Sequence, residues 1–322
     1  MDLNEALECA NEFTLPGFME DEDSLNADRM RNEDALVTLL EAWDAAPAGR
    51  EPFSFDLVLS LADRNRDVCD RIGADALRNA RSSCLAQQLS DRDRVRAVAA
   101  LQGRSEKQVQ ALAGMGARDI AVAWVDAPVS GTVVGIDIET TCLDPSRGYV
   151  INVGLEFMEI ETGTIHDPFS AYFGLPDVYA GKTIPCSDVH RITWADLDGK
   201  KLFREDKKAQ RALLVAMCTY PYMAHNAAFE DSWFMLNIAG YAEARKAGKI
   251  VVVDTRDICR RLDPDVRWLP HDSHPASLES WARRRGTLME GESERHLGLE
   301  DVVLMLQTVE AEFSERNMLK KA

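Results

Sequence analysis

The hydrophobic positions of the chain follow two different spacings. Up to about residue 125 they recur at helical intervals. Leu36, Leu39, Leu40 and Trp43 mark one apolar face over Asn32 to Trp43, and Leu57, Leu59, Leu61, Val68 and Ile72 mark one or two helices more. Val95, Val98 and Leu101 predict another, closed by Gly103. Ser105-Glu106-Lys107-Gln108 has the form of a helix N-cap before Val109 and Leu112, with Gly114 and Gly116 beyond. The last pair has the outline of a helix-turn-helix, an outline shared by any small bundle. Glu20-Asp21-Glu22-Asp23 reads as a solvated loop, and Ala45-Ala46-Pro47-Ala48-Gly49 as a helix stop and short linker.

After Asp126-Ala127-Pro128-Val129-Ser130-Gly131, the most plausible domain boundary, the spacing changes. Val133 to Ile138 is a β-branched run that predicts a buried strand. Tyr149 to Ile160, the turn Glu161-Thr162-Gly163 and Thr164 to Phe173 predict a hairpin. A loop spans Ile184 to Gly199, and a helix is expected from about Phe203 to Cys218. Tyr222-Met223-Ala224 then forms a strand end that leads into a helix from about Ala227 to Tyr241. Ile250 to Val253 reads as a strand, followed by helices near Thr255–Leu262, Leu278–Arg285 and Leu299–Phe313. Three strands followed by alternating helices and strands is the order of a ribonuclease-H-like α/β layer, a mixed sheet flanked by helices. The expected organisation is therefore an acidic all-helical domain over residues 1–127 and an α/β domain over 128–322.

Composition narrows the class. Hydrophobic residues make up 46% and charged residues 28%, enough to bury a core in a globular protein. No apolar run approaches the ~20 residues of a membrane span, and Met1-Asp2-Leu3-Asn4-Glu5 lacks the form of a leader, so a cytoplasmic location is expected. The seven cysteines include no Cys-x-x-Cys pair, which argues against a disulfide framework and a zinc site. The net charge of −17 speaks against general electrostatic binding to duplex nucleic acid. The charge is uneven: residues 1–50 hold thirteen acids and three bases, whereas 51–130 hold eleven of each.

The predicted strand at 132–138 and the residue that ends it carry the chemistry. Asp137 and Glu139 are two residues apart, so both project from one side of it. Two carboxylates together at a strand end repel, and a divalent cation is the simplest compensation; oxygen ligands suit Mg²⁺ or Mn²⁺. Three further clusters lie at element ends: His225-Asn226-Ala227-Ala228-Phe229-Glu230-Asp231 at a strand-to-helix junction, His296-Leu297-Gly298-Leu299-Glu300-Asp301 opening the last helix, and Val189-His190-Arg191-Ile192-Thr193 in the loop after the hairpin.

On these residues the chain resembles the DEDD 3′→5′ exonucleases, in the branch with a catalytic histidine that includes the proofreading epsilon subunit of bacterial replicative polymerase and ribonuclease T. Asp137-Ile138-Glu139-Thr140-Thr141-Cys142-Leu143 resembles the first motif, with Cys142 in place of glycine. His225 to Glu230 resembles the second, with Glu230 in place of aspartate, and His296 with Asp301 the third. The likeness covers about residues 131–315. It implies a two-metal-ion hydrolase that releases nucleoside 5′-monophosphates from the 3′ end of single-stranded nucleic acid, DNA favoured over RNA. Two Mg²⁺ or Mn²⁺ ions ~3.5–4 Å apart would serve both oxygens of an in-line displacement. Asp137 would bridge them, with Glu139, Asp301 and an acid of the Glu230–Asp231 pair completing the set. His296, on a loop before the last helix, would be the general base. Register favours Glu230 and residue type favours Asp231; neighbours on a helix point ~100° apart, so one of them is the ligand.

The resemblance also implies substrate contacts from Thr140 and Thr141 at the 3′ end, from Leu143 and Phe229, which wedge or stack on terminal bases, and from Asn226, which also shapes the turn of the second motif. Arg283-Arg284-Arg285, Arg260-Arg261 and Lys207-Lys208 are the basic runs available to a strand. Residues 1–127 suit a protein partner. The reading of a different class is a catalytically inactive nucleic-acid-binding or adaptor protein on the same scaffold.

Overall fold

The computed structural model describes residues 1–11, 22–47, 88–114, 128–145, 148–267 and 269–319, with 50, 52–54, 57, 58, 61, 79, 80, 82 and 124. Five strands form one sheet: β1 (Thr132–Thr140), β2 (Val150–Glu159), β3 (Thr164–Tyr172), β4 (Tyr222–Ala224) and β5 (Val252–Asp254), in the order β3-β2-β1-β4-β5. β1 and β2 are antiparallel, as are β2 and β3, while β4 and β5 run parallel to β1. Short hairpin connections allow the first three strands to be antiparallel; the parallel strands each need a helical crossover. The fold is ribonuclease-H-like.

Alternation divides β1 between two cores. Val134, Ile136 and Ile138 pack with α7 (Lys207–Thr219) and α8 (Ala228–Asn237), through Leu213, Met217, Trp233 and Phe234. The same cluster takes in Ala6, Leu36, Leu39 and Leu40 of α1 (Leu3–Asn11) and α2 (Glu22–Ala45). On the other side Val133 packs with α12 (Gly298–Glu315), through Val302, Leu306 and Phe313, and with Trp281 of α11 (Leu278–Arg285). Val95, Val98 and Leu101 of α3 (Asp91–Gln102) and Val109 of α4 (Glu106–Gly114) belong to this second core. Ion pairs tie the helical half to the sheet half: Arg94 to Asp257 at 2.6 Å and Arg245 to Asp93 at 2.8 Å. Packing therefore crosses the line between residues 127 and 128.

Several boundaries differ from the sequence reading. Glu22 and Asp23 lie in α2 rather than in a loop. α7 starts at Lys207 instead of Phe203, because Asp206 accepts the Ala209 N–H and caps it there. The expected helix over Ala227 to Tyr241 stops at Asn237; Tyr241 opens the next one, α9 (Tyr241–Lys246), after Gly240 at φ 84°. β5 begins at Val252 rather than Ile250. Glu20, Asp21, Leu59, Val68, Ile72, Gly116, Asp126 and Ala127 lie outside the described residues.

A candidate metal and active centre

β1 and α12 bring the first acids together. Asp137 and Glu139 face the side of the sheet on which α12 lies, since Gly135, one step back on that face, sits under Val302 and Leu306. The N-terminus of α12 approaches β2 glycine against glycine: a Cβ on Gly154 would stand 2.0 Å from the Gly298 carbonyl carbon. Leu297 offers no capping side chain there, and Asn152 of β2 supplies one by accepting the Gly298 N–H at 3.0 Å. The cap seats Asp301, one turn into the helix and 4% exposed, over β1. Carboxylate oxygens of Asp137, Glu139 and Asp301 then lie within 4.8 Å of one another.

Two more acids join the cluster. Glu230, in the first turn of α8, is 2% exposed, and its Oε2 is buried without a partner. Burial pushes the Asp137 carboxyl well above its usual range, and the charges of Glu139, Glu230, Asp301 and Glu294 push the same way. Glu139 rises to about 8 through burial and the charges of Asp301 and Glu294. Asp301 rises to about 7 through burial and Glu294, against a lowering by His296. Glu294 rises to about 7, chiefly by burial. Sequence reasoning missed Glu294, because no motif spacing marks it.

His296 lies before α12 at φ 52°, with Nδ1 3.9 Å from Glu294 Oε1. Glu294, His296 and Asp301 offer ligand atoms within 4.8 Å of one another. α11 anchors this loop: Glu279 accepts the Glu294 N–H at 3.1 Å, and Arg283 bonds both Glu279 and the Met289 carbonyl.

Asp231, beside Glu230 in sequence, has both oxygens engaged elsewhere. Its Oδ1 accepts from the Tyr241 hydroxyl at 2.6 Å and from Arg245 Nε at 2.8 Å, and its Oδ2 accepts from Arg245 Nη2 at 3.0 Å. The turn that carries Glu230 is fixed from β5. Asp254 Oδ1 accepts the N–H groups of Asn226 and Arg256, and Oδ2 pairs with His271 at 2.9 Å. Asn226 adopts φ 73°, a conformation asparagine tolerates. His225 donates from Nε2 to the Ala276 carbonyl; burial, helped by Arg256, drops its pKa to about 3, so it is neutral.

The rim residues divide. Thr140 donates its hydroxyl to the Cys142 carbonyl, and Thr141 Oγ1 accepts the Tyr149 N–H, so both hydroxyls hold the turn after β1. Leu143 is 70% exposed. Phe229 is half-buried, packed edge-on against Trp233. Cys142 Sγ donates to the Asp144 carbonyl and stands where a side chain on Gly148 would go. His190 is buried: Ile192 N–H donates to Nδ1, which places the proton on Nε2 for the Pro185 carbonyl. Its role is to fold the loop.

The acid cluster fits divalent cations. Its donors are all oxygen, Glu230 Oε2 lacks a partner, and no ion pair reaches Asp137 or Glu139 among the described residues. Among these residues no helix is long and apolar enough to cross a membrane.

No protein-family model matches the chain, and no curated protein matches it. Among solved structures it is similar to a full-length 3′-exonuclease, with a TM-score of 0.44 and 14% identity over 60% of this chain and 85% of that one. The nuclease domain of 3′hExo, a DEDDh family member solved with rAMP, gives a TM-score of 0.40 and 15% identity over 59% of this chain and 96% of that one. Exonuclease I of E. coli, solved with single-stranded DNA, gives 0.44 and 16% over 59% of this chain and 42% of that one. The likeness is one of fold; the residues carry the reading of the site.

Proposed function

We propose that this chain is a metal-dependent 3′→5′ exonuclease that hydrolyses single-stranded nucleic acid, DNA in preference to RNA, to nucleoside 5′-monophosphates. The observation that supports it is the convergence of Asp137, Glu139 and Asp301 within 4.8 Å, with Glu230 buried beside them and His296 on the adjoining loop. Five acids raised above their ordinary range make a costly arrangement for a fold alone, and perturbed groups of this kind collect at functional sites.

Asp137, Glu139, Glu230 and Asp301 are the residues we assign to hold two divalent cations, Mg²⁺ or Mn²⁺. When bound, the cations supply charge neutralisation of the phosphate, an acidified water and stabilisation of the leaving oxygen. His296 takes the proton of the attacking water on Nε2, the nitrogen left when Nδ1 faces Glu294. Glu294 stands beside Nδ1, and α11 holds Glu294. Leu143, which is exposed, and Phe229 are the residues we assign to the terminal base. Asp231 braces α8 against α9 through Arg245.

The test is digestion of end-labelled single-stranded DNA and RNA, side by side, in Mg²⁺ and in Mn²⁺. The wild-type chain is expected to shorten the strand from its 3′ end and release monophosphates, and Asp137→Asn to abolish this with an unchanged fold by circular dichroism. Retained binding without any shortening would favour the adaptor reading.

A further inference from the structure

Among the described residues, the arginines of the basic runs are occupied. Arg283 pairs with Glu279, Arg284 with Asp263, Arg285 with Asp263 and Glu312, and Arg260 with Asp257. Arg256 stands outside any run and differs. It is half-buried, its Nε is buried without a partner, and its side chain makes no hydrogen bond or ion pair among the described residues. Leaving guanidinium donors unmet in a partly dry place costs free energy. A fold that keeps an arginine in this state leaves its donors for an acceptor that arrives from outside.

Its position says which acceptor. Arg256 is the second residue of α10 (Thr255–Leu262), which opens at the end of β5. Its N–H donates to Asp254 Oδ1 at 2.9 Å, the same oxygen that takes the Asn226 N–H at 3.0 Å. That shared oxygen ties Arg256 to the turn leading into Glu230. Asn226 Oδ1 and Glu230 Oε2 are also buried without partners, so the segments that follow β4 and β5 hold three unmet polar atoms. The charge of Arg256 reaches both Glu230 and Glu294, yet it lies within 4.0 Å of neither carboxylate. A cation kept only to offset these acids would pair with one of them.

Building on the exonuclease reading, we infer that the Arg256 guanidinium binds a non-bridging oxygen of a phosphate on the strand held at the acid cluster. Its planar fork matches the two oxygens of a phosphate, and in a chain of net charge −17 it supplies attraction where the polyanion must approach. Lysine, a point charge, reproduces only part of this.

The test uses the full chain and its Arg256→Gln and Arg256→Lys variants. Binding of thymidine 5′-monophosphate and of thymidine is measured by calorimetry in Mg²⁺. The wild type is expected to prefer the monophosphate, and Arg256→Gln to reduce that preference roughly ten- to a hundredfold, as for a lost hydrogen bond to a charged group. Arg256→Lys should keep part of it, and neither variant should lower the melting temperature in Mg²⁺, since no side-chain partner is lost. An unchanged preference in Arg256→Gln, or a wild type that does not favour the monophosphate, overturns the inference. So does tighter Mg²⁺ binding in Arg256→Gln with the preference intact, because the arginine would then only offset the acids. Digestion of a labelled strand by the wild type, run beside it, tests the exonuclease reading separately: no digestion removes that reading and leaves the phosphate preference as its own measurement.

Discussion

At the scale of single residues, the question with most at stake is which acid of the second motif faces the cluster. Glu230 and Asp231 are equally buried, each at 2%, but for opposite reasons. Asp231 is paired with Arg245 and hydrogen-bonded by Tyr241, whereas Glu230 meets other acids. Glu230→Gln is therefore expected to remove cleavage while leaving the metal-free melting temperature level or raised. Asp231→Asn strands part of a buried pair, so it should cost about 3 kcal/mol or more of stability while the folded fraction stays active. Parallel assays and thermal melts decide it; loss of activity in a fully folded Asp231→Asn protein would exchange the two roles. For the proposed base, His296→Ala should lower the rate by roughly 10²–10⁴, with Mg²⁺ binding by calorimetry nearly unchanged; a collapse of metal affinity would make it a ligand. Asp137 and Glu139 were legible in the sequence because strand alternation puts them on one face whatever the rest of the fold does. Glu294 and Arg256 were not, because a loop and a helix start define their places, and neither has a period to read.

At the scale of elements, the sequence located every strand among the described residues and the last helices to within a few residues, since apolar periodicity and turn residues act locally. It said nothing of how α12 reaches β2, which depends on two glycines 144 positions apart. Gly154 meets the backbone of Gly298 and Leu299, and Gly298 meets Gly154 and Asn152. Any side chain between them would lift the helix, and Asp301 with it. Gly154→Ala places a Cβ where backbone already lies, which cannot move as a flexible side chain would. We expect a loss of roughly 1–3 kcal/mol, the usual cost of overpacking, together with weaker Mg²⁺ binding as Asp301 withdraws from Asp137 and Glu139. Denaturant melts and calorimetry read the two effects. A variant that is destabilised but binds Mg²⁺ as the wild type does would show that the glycine contact supports the fold without positioning the acid.

For the whole molecule, the acid cluster makes stability depend on pH and metal together. The sequence divides the chain at 127/128, and each apolar core draws residues from both sides of that line. In the metal-free protein Glu139 sits at about 8, and Glu294 and Asp301 at about 7. These are all above the ordinary carboxylate values near ~4 that the unfolded chain has. Between about pH 4 and pH 8 the folded state thus holds protons that the unfolded state has released, and a state that binds more protons is favoured by acid. Stability is complete below the ordinary carboxylate range and falls as pH rises through the raised values. The melting temperature in EDTA is therefore expected to decline from about pH 5 to about pH 8. Saturating Mg²⁺ should flatten the decline, because cations that bind only the folded state replace the lost protons. Asp137→Asn removes one of the repelling charges and should shrink the decline in EDTA. A metal-free melting temperature that stays level or climbs across this window would mean that the five carboxylates do not share one site.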